Sequence, residues 1–257
     1  MRKLWGLVSL LLLVPFLTGC VKLALQFTPS LIPQLTQALF EECDPDLAKR
    51  AIPANLKLME GLLKSDPENR QILTALSMGF SGYSLLFVEA GDPENASDLY
   101  LRARNYGLRA LCVKGCALKN AWINLNLDKP AALAQLSLSQ GCLRRVIEID
   151  ADYLYGLPNI LMGASLAARP QFFGGDIKRA RSYFEKSLEL SRGKFFLAQY
   201  YFAKYYAVRV QDKKLFFELI RDITNRDPHE LKDVCLINRV IQHKAEQLKK
   251  MADELFI

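Results

Sequence analysis

From about residue 30 onward, apolar residues return every third or fourth position, and strand-like alternation is essentially absent. That period belongs to amphipathic helices. Leu73, Leu76, Phe80, Tyr83 and Phe87 form one stripe, and Leu99, Ala103, Tyr106 and Ala110 form the next. Ala75, Gly79 and Gly82 accompany the first stripe and predict close approach of a second helix. The pattern predicts helices over 30–41, 46–64, 69–89, 94–113, 118–126, 130–148, 152–168, 176–191, 195–210, 212–225 and 229–254. Pro53 is expected to kink or delay the second of these.

Asp44-Pro45, Asp66-Pro67, Asp92-Pro93 and Asp227-Pro228 punctuate the pattern, and Asp150-Ala151 falls where another such pair would stand. Asp caps a following helix, and Pro suits a first turn that needs no amide hydrogen. Asp66-Pro67-Glu68-Asn69 and Asp92-Pro93-Glu94-Asn95 repeat the same four letters. Helix-turn-helix content at recurring intervals predicts an all-α solenoid of about ten or eleven helices in hairpins. Ala180, Phe184 and Leu188–Leu190, after Gly174-Gly175-Asp176, fit the second helix of a tetratricopeptide (TPR) repeat, so the body reads as TPR-like. The alternative is an irregular helical bundle. No linker interrupts it, so 30–257 is expected to be one domain.

The first twenty residues follow a different rule. Met1-Arg2-Lys3 precedes an almost unbroken apolar run from Leu4 to Leu17, then Thr18-Gly19-Cys20. A basic head, a short apolar run and small residues at its end make a secretory signal. Leu17-Thr18-Gly19-Cys20 resembles a bacterial lipobox, so residues 1–19 are expected to be removed and Cys20 lipidated. Residues 20–29 would then be a tether, and several acyl chains suffice for stable anchoring. Val21, rather than Asp, points to the outer membrane. No later segment offers about 20 apolar residues free of charge, so the body is expected to be soluble and tethered on the periplasmic side.

Composition narrows the chemistry. Loss of Arg2 and Lys3 takes the net charge from +7 to +5, spread among acidic residues rather than clustered as nucleic-acid binding requires. Of the six cysteines, Cys43, Cys112, Cys116, Cys142 and Cys235 remain after Cys20. Their spacing resembles no disulfide framework. Cys112 and Cys116 share a helical face but lack a nearby histidine. Most of the five read as small buried apolar residues, and no metal or cofactor is expected. The two histidines, His229 and His243, read as surface residues. Nucleophile elbows, zinc-protease helices and phosphate-binding loops do not occur in the sequence, and a non-enzyme is expected.

Two stretches carry candidate binding residues. The segment 195–206 is apolar nearly all round and predicts a buried helix. Tyr200, Tyr201, Tyr205 and Tyr206 either belong to its core or line an apolar cavity with polar tips. Around the 89–93 turn, Tyr83, Phe87 and Glu89 precede Arg102, Arg104, Tyr106 and Arg109. Arg102, Tyr106 and Arg109 share a face. They either cover a packed tyrosine with their stems or recognise a carboxylate through their forked guanidinium groups.

Together these segments resemble a known family. The matching residues include Asp44-Pro45, Ile52-Pro53, Gly79-Phe80-x-Gly82-Tyr83, Phe87-Val88-Glu89, Arg104-x-Tyr106-Gly107-Leu108-Arg109-Ala110-Leu111, Ala121-Trp122-Ile123-Asn124-Leu125, Tyr155-Gly156, Arg169-Pro170, Gly174-Gly175-Asp176 and Lys194-Phe195-Phe196. The chain is similar to the T-component family of tripartite ATP-independent periplasmic (TRAP) transporters, lipoproteins with a TPR-like body. The resemblance implies a partner, the periplasmic solute-binding protein, and assembly as a homotrimer. It also implies a cavity or pore that passes an apolar or carboxylate-bearing small molecule, and it adds Trp122 to the candidate residues. In related chains a longer aromatic helix precedes Trp122. Here residues 112–121 form a shorter interval without tryptophan, which implies a reshaped or closed pore if that helix lines it. The alternatives are a general envelope-assembly lipoprotein and a stand-alone binder of hydrophobic ligands.

Overall fold

The computed structural model describes residues 30–111 and 136–256. Among the described residues the fold is all-α. Helix α1 spans Leu31–Glu41, α2 Pro45–Ser65, α3 Arg70–Tyr83 and α4 Pro93–Leu111. Helix α5 spans Leu136–Ile149, α6 Tyr153–Ala167, α7 Ile177–Ser191 and α8 Phe196–Tyr201. Helices α9 (Lys213–Asn225), α10 (Cys235–Lys250) and α11 (Ala252–Leu255) complete it. Helices α3 and α8 each run on into a π-helical turn, Ser84–Val88 and Phe202–Ala207. The expected helix at 118–126 lies outside the described residues.

Successive helices pack as hairpins, most extensively α3 with α4 and α6 with α7. Ser77 and Ser84, both buried, donate to the carbonyls of Ala103 and Ala96 and so tie α3 to α4. The C-terminal helix does more than continue a stack. α10 packs on α1, on α2 and on the π-turn after α3, and Lys244 reaches the Leu85 carbonyl across 159 residues. A stack held only by neighbouring repeats lacks such contacts.

The Asp-Pro pairs work in more than one way. Asp44 caps α2 through the amides of Asp46 and Leu47, with Pro45 in the first turn. Asp92 caps α4 through Asn95. Asp66 instead closes the end of α2, and Asn69 caps α3 through Ile72. α2 runs through Pro53 without a break in the helix. The expected helix over 229–254 begins later. Asp227-Pro228 starts a 3-10 turn, Leu231 is extended, and α10 opens only at Cys235. Leu154, Tyr155 and Gly156 adopt left-handed φ values of 44°, 57° and 81°, so the start of α6 is sharply kinked. The Tyr155 hydroxyl then reaches Asp233 at 2.8 Å.

The core centres on the aromatic segment. Phe184, Phe195, Phe196 and Phe216 are fully buried. Phe184 stacks on Phe202 at 5.0 Å, and α6, α7, α9 and α10 all pack against α8 or its π-turn. Arg70–Val88 is long and apolar enough to cross a membrane by length and composition, contrary to the expectation that no later segment would be. Ile72, Leu73, Leu76 and Phe80 of this helix belong to the core.

Cysteine also behaves differently from expectation. Cys43 and Cys235, read as separate apolar fillers, form a disulfide with Cα atoms 5.3 Å apart. It joins the end of α1 to the start of α10. Cys112, Cys116 and the Cys142 side chain lie outside the description.

Small residues matter where backbones meet. A Cβ on Gly79 would lie 2.5 Å from Leu56 Cδ2, whereas Gly82 has nothing within 4 Å, so only part of the expected small-residue stripe is a contact. At Gly175 a Cβ would lie 2.0 Å from the Arg169 carbonyl oxygen. Gly175→Ala should lower the unfolding free energy by about 1–3 kcal/mol. Gly82→Ala should leave it unchanged or raise it by up to ~1 kcal/mol. Urea denaturation reads both; equal effects would contradict this account.

Candidate functional site

Two carboxylates organise the candidate residues into separate clusters. The first is Glu60 on α2. Arg102 of α4 pairs with its Oε1, the Tyr106 hydroxyl donates to the same oxygen at 2.6 Å, and Lys57 reaches Oε2 at 3.0 Å. Phe80 stacks beneath Tyr106 at 5.9 Å, and the Arg102 guanidinium lies 4.6 Å from the Phe80 centroid. Arg109 sits 5.8 Å from the Tyr106 ring and donates to the Pro67 carbonyl. Arg102 and Tyr106 thus have their carboxylate partner within the chain. Arg104 donates to Asn105, away from this group. Burial works to raise the Glu60 pKa, but the hydrogen bonds from Tyr106, Lys57 and Arg102 overcome it and hold the carboxyl below its ordinary range.

The second cluster forms around Glu89, which directly follows the first π-turn. The Tyr100 hydroxyl donates to its Oε2 at 2.7 Å, and Lys204 of the second π-turn lies 4.0 Å from Oε1. The Lys204 ammonium also sits 5.3 Å and 6.0 Å from the centroids of Tyr205 and Tyr200. Tyr201 meets Tyr200 at 6.1 Å and Tyr205 edge-on at 5.1 Å. Lys244 of α10 donates to the Leu85 carbonyl inside the first π-turn at 2.7 Å. π-turns shift backbone groups out of helical register and recur at functional sites; here two of them bring charges from α3, α8 and α10 to one place.

The electrostatics follow from burial. Burial pushes the Tyr200 phenol up to about 12, with Glu89 adding to it. Burial also raises Tyr205, Tyr201 and Tyr100, again assisted by Glu89, so all stay protonated donors at neutral pH. Burial pulls the Lys244 ammonium below its ordinary value; Glu89 opposes that shift and Lys204 adds to it. One carboxylate faces two ammonium groups, and the cluster carries a surplus of positive charge among tyrosine hydroxyls.

Four of the sequence candidates therefore meet in one cluster: Glu89, Tyr200, Tyr201 and Tyr205. Tyr83 and Phe87 pack on each other at 5.6 Å. Tyr83 also lines a small apolar cavity of about 30 Å³ between α1, α2 and α3. An open groove of about 710 Å³ lies beside it, between α1 and α3. Trp122 and Cys20 lie outside the described residues. Sequence reasoning missed Tyr100, Lys204, Lys244 and Glu60. No motif in the sequence singles out the lysines, and only the tyrosines flanking Lys204 could have marked it.

A third feature is exposed. Phe172 and Phe173, in a 3-10 turn after α6, have ring centroids 4.4 Å apart and are 80% and 50% exposed. Buried Arg169 fixes the turn by donating to the Ser165 carbonyl and hydroxyl and to the Phe173 carbonyl. Gly174 closes it in the left-handed region at φ 79°.

These features define an all-α helical-hairpin protein with a charged, tyrosine-lined centre. The chain belongs to the TRAP transporter T-component family, whose model matches residues 41–121 and 115–256. The two matched stretches overlap at 115–121. Among curated proteins, none matches the chain. The family assigns it to TRAP transport in the bacterial envelope, as a transporter component rather than a member of an enzyme family.

Because the folded Glu60 pKa lies below its ordinary 4.5, its contribution to stability is complete above 4.5 and is lost as pH falls through the folded value. Urea midpoints across the acid range should fall more steeply in the wild type than in Glu60→Gln. Identical pH slopes would show that the cluster contributes no such linkage.

Proposed function

We propose that this protein is a lipid-anchored periplasmic scaffold of a TRAP-type transport system, docking the solute-binding protein and passing an apolar or carboxylate ligand. The family match along nearly the whole body carries the reading. The Leu17-Thr18-Gly19-Cys20 signal supplies the anchor and the address, with the outer membrane as the expected sheet. Assembly as a homotrimer remains part of this proposal on the strength of the resemblance.

Docking is supported by the Phe172–Phe173 turn. Two exposed rings on a turn fixed by a buried arginine lose little freedom on binding, and aromatic anchors dominate interface energetics. Co-purification from detergent extracts of the native host should recover a solute-binding protein. A Phe172→Ser/Phe173→Ser variant should recover at least tenfold less, since hot-spot truncations cost about 2 kcal/mol or more each. Recovery of no solute-binding protein by the wild type would overturn the docking role.

Ligand passage is supported by the Glu89–Lys204–Lys244 cluster, whose surplus positive charge and raised tyrosines suit one carboxylate head with an apolar tail. Native mass spectrometry of the extracted protein should show a bound small acid, lost in Lys204→Met. Wild-type protein without any bound species would remove ligand passage and leave docking standing.

A further inference from the structure

The disulfide has a third neighbour. One ligand atom from each of Cys43, Cys235 and His229 lies within 4.8 Å of the other two. The three residues come from different elements: Cys43 from the link between α1 and α2, His229 from the 3-10 turn after α9, and Cys235 from the first turn of α10. Asp227 prepares the histidine. Its Oδ1 accepts the His229 backbone amide at 2.9 Å and lies 2.8 Å from the ring Nδ1. A carboxylate that holds Nδ1–H leaves Nε2 as the ring's free electron pair, the arrangement that orients metal-ligating histidines.

We propose that Cys43, Cys235 and His229 form a thiol-gated site for a soft divalent cation of the Zn²⁺ type, of which the disulfide is the oxidised, closed form. Two thiolates and an imidazole are three of the four ligands of a tetrahedral zinc site, with water in the fourth position. The chemistry balances. An external dithiol reduces the disulfide, giving two thiols and the reductant's own disulfide. Each thiol then loses its proton to solvent as its metal–sulfur bond forms, while neutral His229 donates a lone pair.

Packing keeps the ligands together after reduction. α1 packs on α10 and on the 3-10 turn Lys232–Val234, and Lys232 pairs with Glu41 at 3.4 Å. Ile32 of α1 is buried in the core. Reduction therefore opens the bond while the two backbones stay in place, and side-chain rotation is enough to part the sulfurs to the spacing of two ligands on one tetrahedral metal. His229 is exposed and Cys235 is buried, so the cation would approach from the histidine side. This inference is independent of the transport reading, since it uses none of the Glu89 or Phe172–Phe173 residues.

Cobalt(II) is the probe. The full chain in detergent, reduced with a phosphine and kept anaerobic, should take up one Co²⁺ per chain. It should show thiolate-to-cobalt charge-transfer absorption and the strong visible bands of tetrahedral cobalt, both erased by Zn²⁺. Oxidised protein should show neither. Cys43→Ser, with one thiolate left, should lose about half or more of the charge-transfer intensity, and Asp227→Asn should weaken binding by about tenfold or more. His229→Ala, at an exposed position, tests the third ligand without disturbing the core and should weaken binding further. No charge-transfer band in the reduced wild type would overturn the proposal, as would equal Co²⁺ affinity in His229→Ala or binding by the oxidised protein.

Discussion

The segment from Phe195 to Ala207 has no polar face, and enclosing it dictates where much of the chain goes. Residues 195–203 are all buried, and full burial of one phenylalanine contributes about 1.5–3 kcal/mol. Helices α6, α7, α9 and α10 surround it. Some of its polar groups are met from those neighbours, while the Gln199 Oε1 is buried without a hydrogen-bond partner. Asn238 accepts the Phe196 amide and donates to the carbonyls of Lys194 and Pro228. Gln199 donates to the Gly193 carbonyl and to Asp222. The helix cannot be fully enclosed by neighbours in sequence alone, so α10 is drawn in from the chain's far end.

That closure explains the cross-chain contacts. Once α10 lies against the aromatic segment, its other faces meet α1, α2 and the π-turn after α3. Cys235 is then brought to Cys43, and Lys244 to the Leu85 carbonyl. The charged centre is a by-product of the same geometry. Two π-turns break helical register at the places where α3 and α8 pass α10, and each supplies a group to the space between them. Glu60 shows the contrasting case: a carboxylate satisfied by Arg102, Tyr106 and Lys57, of which Arg102 and Tyr106 hold α4 to α2.

Helix existence was legible because it depends on local period and local caps. Asp44, Asp92, Asp176 and Asp212 each accept a helical amide within three residues, and such a bond needs no distant partner. The errors fell where a local signal had two outcomes. Asp66-Pro67 has the same letters as Asp92-Pro93, yet it ends one helix while Asn69 starts the next. The buried aromatic helix was legible from composition. The charges beside it were not, because a lysine at a helical spacing has the same letters whether it faces water or a tyrosine ring.

The sequence by itself determined an all-α chain of capped hairpins, a buried aromatic helix and the family pattern, since each rests on residues within about one helix of one another. Only the tertiary structure decided that Cys43 and Cys235 meet across 192 residues beside His229. It also decided that Arg102 pairs with Glu60, and that Glu89, Lys204 and Lys244 share one centre. Those pairings depend on which helix faces close around the aromatic segment, and spacing along the chain carries no record of that choice.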